Sequence, residues 1–437
     1  MPRHTQPAFR ILFTLVVVLA ALAGCGGGNP SADGTPADAA TAEQTGASPR
    51  EERRAAQLTA LGYLTGYKPA DDRTSVIRYQ PETAWPRLNL CNGGHGQSAF
   101  LVDMEGRILH RWAYDFVQAP LGAEARKPVK DEKPLFWRRV HLFPNGDLLA
   151  VVTGYGLVKV NRDSELVWAT PCPAHHDLHV TEDGLIYALT WRKATLRRIN
   201  PGQKVREDFI TVFDSRGTQL RRQSLLVAFE ESPFADYLEP MPKSGHLLHT
   251  NTIEVFDGSQ AHRSPLFRKG NVLVSMRNLH AIAIVDLDRG QVVWARTGDW
   301  REQHQPTLLA DGRMLLFDNC GADYGSRVVE IDPFSGATYW SYEGNEENDF
   351  DSPVLGSCSR LPNGNTLITD SVNGRAFEVT PPGEIVWEFY NPARAAADET
   401  LIATLLDVQP IDPSACAEWL DWPPPCRTVR TGHQIPT

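Results

Sequence analysis

A two-part cassette of short strands recurs along the chain, and this repeat limits its fold more than any other feature does. The second half of each cassette is an apolar strand, an acidic or polar turn carrying Gly, and another apolar strand ending in Trp. Copies run from Ala99 to Trp112, Leu157 to Trp168, Ala281 to Trp294, Arg327 to Trp340 and Ala376 to Trp387. A sixth, Phe209 to Leu220, keeps the turn and lacks the Trp. Between copies lies a further hairpin with a Gly turn, as in the stretches around Gly146, Gly184, Gly270, Gly312 and Gly364. Each repeat therefore holds about four strands in roughly 50 residues, the mark of propeller blades that bury their faces against one another. The expected fold is all-β, a six-bladed β-propeller over residues 90–392. Trp112, Trp168, Trp294, Trp340 and Trp387 are expected at equivalent, similarly buried places between blades. Propellers close by pairing a strand from one terminus with the blade at the other, and the strand near Ala99 to Asp103 is the candidate.

The flanks differ in composition. Arg3 and Arg10 precede an apolar run from Ile11 to Ala23, the length of a signal peptide rather than of a bilayer span. The run ends in Leu22-Ala23-Gly24-Cys25, which resembles the lipobox of bacterial lipoproteins. That resemblance implies a signal peptide over 1–24 and lipidation of Cys25. It also implies a membrane anchor, with Gly26 favouring the periplasmic face of the outer membrane. Residues 25–50 read as a flexible tether. Residues 51–89 form a lead-in segment that opens with a short amphipathic helix over 51–62, and 393–437 a helical, Pro-rich tail packed on the outside or rim. The net charge of −10 and a pI near 5.7, with no Lys/Arg run, exclude a nucleic-acid surface. Export permits disulfides. Cys416 and Cys426 flank a short Pro-rich loop and are the expected pair; Cys320 and Cys358, in consecutive blades, are a second possible one.

The histidines follow the repeat. His176 lies eight residues before the turn glycine Gly184, and His304 eight before Gly312. The same offset falls on Arg138 before Gly146 and on Gly356 in the final blade. Between the two histidine blades, His249, Asn251 and Arg277 belong to the inner hairpin of the intervening blade. A channel lined by His176, His249, His304 and Arg277 is rich in donors and suits an oxyanion, while imidazole also supplies nucleophile and acid–base chemistry. Three His could instead hold a divalent ion. However, the carboxylate beside them is Asp177, and adjacent strand residues point to opposite faces. With no CxxC pair either, no metal is expected.

These residues resemble the bacterial arylsulfotransferase family. The motifs are His175-His176-Asp177, His249-Thr250-Asn251, Ser275 to Arg277 and Gln303-His304, with blade segments such as LPNGNTLITDS and VVEIDPFSGATYW. The likeness spans roughly residues 60–392. It implies a six-bladed propeller with a channel active site, no nucleotide sulfate donor and no cofactor, and a His, matching His304, that is transiently sulfated. His176, His249 and Arg277 match the companion catalytic residues, and Asn251 with His175 the substrate-binding ones. The implied partners are phenolic sulfates and phenols. The chain departs from some members in lacking a separate strand-rich N-terminal domain and in carrying the lipobox. The competing reading is a non-catalytic, lipid-anchored propeller serving as an envelope scaffold.

Overall fold

The computed structural model describes residues 66, 68–121, 135–322, 325–395 and 400–421, and within them the cassettes fold into six antiparallel blades. Alternating apolar residues and Gly-bearing turns make each blade a pair of hairpins. From the inside out, blade 1 is Leu405–Ile411, Leu88–Gly93, Ser98–Val102 and Ile108–Ala113. Blade 2 is Trp137–Leu142, Leu148–Val152, Gly156–Val160 and Leu166–Pro171. Blade 3 is Ala174–Val180, Ile186–Ala194, Val205–Phe213 and Gln219–Ser224. Blade 4 is Thr250–Val255, Val272–Met276, Ala281–Asp286 and Gln291–Thr297. Blade 5 is His304–Leu308, Met314–Ala322, Gly325–Ile331 and Thr338–Glu343. Blade 6 is Ser357–Arg360, Thr366–Asp370, Arg375–Val379 and Ile385–Tyr390, with Ser75–Tyr79 added at its outer edge.

The core is divided among the blade interfaces, where apolar clusters join each blade to the next. Between blades 6 and 1, Phe100 and Val102 meet Leu367, Trp387 and Phe389. Each such side chain contributes about 1.5–3 kcal/mol by leaving water, so no blade is stable without two neighbours.

The ring closes differently from expectation. Residues 401–411 are not helical and do not lie outside the barrel of blades. Leu405–Ile411 is the innermost strand of blade 1, paired antiparallel with Leu88–Gly93. The composition of this stretch favours helix, but without it blade 1 would expose an apolar inner edge, and tertiary pairing overrides propensity. Leu405, Leu406 and Val408 are buried in consequence. Ser98–Val102, the expected closing strand, is instead the third strand of its own blade. The propeller therefore reaches beyond 90–392 at both ends.

The repeat tryptophans are not equally buried. Trp112 and Trp387 are fully enclosed, whereas Trp168, Trp294 and Trp340 are half-buried. Trp112 is covered by His110 and by Trp419 of the C-terminal segment, and Trp387 by Phe389 and the Arg87 guanidinium. The rings of Trp419 and the guanidinium of Arg87 thus close over these two indoles. Four of the indoles share one bond, donating Nε1–H to a turn carbonyl of the next blade. The acceptors are Gly146 for Trp112 (2.9 Å), Ser215 for Trp168 (3.1 Å), Pro381 for Trp340 (2.8 Å) and Met104 for Trp387 (3.0 Å).

Cys358 is a buried free thiol, so the second possible disulfide, Cys320 with Cys358, is absent; the Cys320 Sγ instead lies 3.8 Å from the Pro353 carbonyl. Cys416 is described as a free, buried thiol, while its expected partner Cys426 lies outside the described residues, as do Cys25, the tether and the 51–62 helix.

Candidate active site

The innermost strands are irregular where they begin. Register shifts interrupt the pairing between Trp137 and Arg139, between Thr250 and Thr252, between His304 and Thr307, and in the 174–178 stretch of blade 3. Such bulges insert an unpaired residue and re-aim its side chain. His176, His249 and Gln305 also adopt φ of +52°, +53° and +45°. Backbone of that kind costs a non-glycine residue energy and persists only where surrounding structure imposes it.

A belt of hydrogen bonds supplies that constraint by tying the innermost strands together. Ser357 Oγ donates to Asp407 Oδ1 (2.6 Å), and Arg139 bridges Asp407 to Asp177. Asp177 Oδ2 accepts from the Ile253 amide (3.0 Å), Thr252 Oγ1 from the Gln305 amide (2.9 Å), and Glu254 Oε2 from the Leu308 amide (3.0 Å). Asn319 Nδ2 donates to the Ser352 carbonyl (2.6 Å) just before blade 6. Asp177 thus serves the belt rather than the histidines beside it.

On the strand-start side of this belt the structure brings the repeat histidines together. His175 Nδ1 and His176 Nδ1 are 2.8 Å apart and joined by a hydrogen bond. The His176 ring meets that of His249 edge-on at 5.0 Å, and His246 stacks on His249 at 5.0 Å. His304 is within electrostatic reach of both His176 and His249. Burial drives the whole group toward the neutral form. His175 and His304 are pushed down to about 3 and His246 to about 4, with His176 and His249 well below the usual imidazole value. Neighbouring Arg side chains add to the effect on His175, His304 and His249: Arg138 and Arg206 for His175, Arg138 and Arg277 for His304, Arg277 for His249.

His304 has a fixed tautomer. Asn319 donates its Nδ2 to backbone carbonyls, so its Oδ1 must face the ring and accept from His304 Nδ1–H at 2.8 Å, with the Glu302 carbonyl at 3.1 Å. Nε2 is therefore the unprotonated nitrogen, and it meets no hydrogen-bond partner among the described residues. Gln303 anchors this segment from the other side. Its buried amide donates to Ser275 Oγ (3.0 Å) and the Ala281 carbonyl (2.9 Å). The Gln303 carbonyl accepts from Asn251 Nδ2 at 2.8 Å and from Ser275 Oγ at 3.1 Å. Asn251 thus spends a donor on joining blades 4 and 5. Arg277 reaches the cluster but is ion-paired with Glu302.

Asn319, Glu302 and His246 were not singled out in the sequence. His246 has a local signal, standing three residues before His249. Asn319 has none, because only the pairing of His304 with Phe317 carries it alongside. Among the described residues no three His, Cys, Asp or Glu side chains are set to hold a metal.

Solved structures resembling this fold include a protein from Bacteroides caccae (13% identity, covering 75% of this chain and 99% of that one, TM-score 0.48). Others are the Dos1 propeller (11%, 76% and 76%, TM-score 0.40) and virginiamycin B lyase from Staphylococcus aureus (14%, 58% and 69%, TM-score 0.34). Likeness at this level says nothing about chemistry. No curated protein sequence matches the chain. A sequence profile of the arylsulfotransferase (ASST) family does match, over residues 139–392, which take in more than half the chain and every histidine of the cluster. The chain belongs to the arylsulfotransferase family.

Proposed function

We propose that this protein transfers a sulfuryl group from a phenolic sulfate ester to a phenolic acceptor through a sulfated His304. The observation that carries this reading is the unprotonated Nε2 of His304, whose ring is oriented by Asn319 and lies within electrostatic reach of His176, His249 and Arg277. A neutral imidazole is the nucleophilic form, and burial keeps it so at any physiological pH. In the first step Nε2 attacks sulfur while the bond from sulfur to the aryl oxygen breaks, its electron pair leaving on the phenolate. In the second, the acceptor oxygen attacks sulfur and gives up its proton, and the pair of the N–S bond returns to Nε2.

Charge stabilisation and proton movement fall to the neighbours. Arg277 and the N–H groups of His176 and His249 donate to the sulfuryl oxygens as charge shifts in the transition state. The bound anion raises the proton affinity of both imidazoles, countering the burial that lowers it, so either can protonate a departing phenolate and later deprotonate the incoming phenol.

Mass spectrometry after exposure to 4-nitrophenyl sulfate tests the reading. A gain of one sulfuryl group on the His304 peptide is expected, with ping-pong kinetics toward a phenol acceptor and loss of both in His304→Ala. Transfer without any modified wild-type protein would reduce His304 to a base in direct transfer. No transfer from any phenolic sulfate would leave the scaffold reading in its place.

A further inference from the structure

Arg138 stands at the repeat position of His176 and His304, yet the reaction above gives it no task. It occupies the bulge between Trp137 and Arg139 on the innermost strand of blade 2 and is only 8% exposed. The two adjacent arginines have opposite situations. Arg139 is bonded to both Asp177 and Asp407. Arg138 has no hydrogen bond or ion pair among the described residues. The nearby carboxylates attract it but are already occupied. Asp177 binds Arg139, the Leu178 amide and the Ile253 amide, while Asp407 binds Arg139, Ser357 and Gln409.

A guanidinium so placed has a planar fork of donors and no acceptor for them among the described residues. Desolvation depresses its proton affinity to about 10, still well above any working pH, so it stays charged. Its charge bears on His175, His176 and His304, residues of blades 3 and 5, and on His304 more strongly than that of Arg277 does. Arg277, by contrast, already has Glu302 as a partner. A buried cation without a partner is costly to a folded protein and is explained by a ligand that completes it.

We propose that Arg138 is the anion receptor of the channel, its guanidinium taking two oxygens of a sulfate monoester side by side and presenting the sulfur to His304. The proposal rests on the sulfuryl-transfer reading for the identity of the anion. A planar fork matches a pair of sulfate oxygens in a way that an ammonium does not, so the position calls for Arg and not merely for positive charge.

Calorimetry on the purified protein tests this without relying on turnover. Melting is compared in sodium sulfate and in sodium chloride at matched ionic strength, with sulfate held to a few millimolar so that its general exclusion from protein surfaces adds nothing, and the Kd of 4-nitrophenyl sulfate is measured in a His304→Ala background. Sulfate is expected to raise the wild-type Tm. Arg138→Leu should melt in chloride no lower than wild type, since it removes an unpartnered buried charge, and should lose the response to sulfate. Its Kd should rise on the order of 100-fold, as when one partner of a buried, hydrogen-bonded charge pair is removed from a binding interface. Arg138→Lys, which keeps the charge, should still weaken binding at least tenfold. An unchanged Kd in either variant, or a fall in chloride Tm with the sulfate response intact, would overturn the receptor and make Arg138 structural. The two readings separate cleanly. Arg138-dependent sulfate binding without transfer would remove the enzyme reading alone, and transfer with normal Kd in Arg138→Lys would remove the receptor alone.

Discussion

His304 takes its chemistry from a residue fifteen positions away, Asn319, whose own amide is fixed by two backbone carbonyls. The consequence for stability follows from linkage. The unfolded imidazole binds a proton near pH 6.5, and the folded one only near pH 3. Between these values the unfolded state holds more protons, so stability is full above pH 6.5 and falls as the pH drops toward 3. Each such histidine forfeits about 1.4 kcal/mol per pH unit in that window. Asp208 and Glu254, raised by burial to about 6 and about 8, slope the other way, so the useful quantity is a difference. Wild type should lose stability relative to His304→Gln as urea titrations move from pH 6.5 to 4.5, and the two should run parallel from pH 7 to 8. Parallel curves throughout would mean that His304 is not held neutral. The positions of His176 and His304 were legible from their offset to the turn glycines. The division between a bound Arg139 and a free Arg138 was not, because it depends on carboxylates from blades 1 and 3.

At the level of strands, the Trp that ends most cassettes latches one blade to a turn of the next. The bond recurs, but its surroundings do not. Trp387 lies in a closed apolar interface, so Trp387→Phe would leave the Met104 carbonyl buried without its donor and cost about 1–3 kcal/mol. Trp168 is half-buried, and water can replace it at the Ser215 carbonyl; Trp168→Phe should cost less than about 1 kcal/mol. Urea midpoints of the two variants measure the contrast, and equal losses would show that the latch, not its burial, sets the energy. The repeat predicts where the Trp residues stand. It cannot predict that Trp419 and Arg87 come to lie over two of them and leave others open.

For the whole molecule, closure by Leu405–Ile411 does two jobs. It fills the inner edge of blade 1, and it brings Asp407 into the belt, where Arg139 and Ser357 meet it. Ending the chain after Thr400 should therefore open the ring, expose an apolar edge and leave Arg139 short of one carboxylate. The truncated protein is expected to lose its cooperative transition and to aggregate on size exclusion, where the full chain melts in one step. A folded, monomeric product of the truncation would show that the ring holds without this strand.

Blade number, hairpin order and the repeat positions of His176 and His304 were set by the sequence alone, because turn glycines and strand alternation act over a few residues and survive in any surroundings. The closing strand, the unequal burial of the tryptophans, the tautomer of His304 and the unpartnered state of Arg138 were decided only by the tertiary structure. Each depends on a partner more than ten residues distant that the ring brings alongside. The locally helix-like run ends in Leu405 and Leu406, and the unpaired edge that makes these two residues strand exists only once six blades have come round.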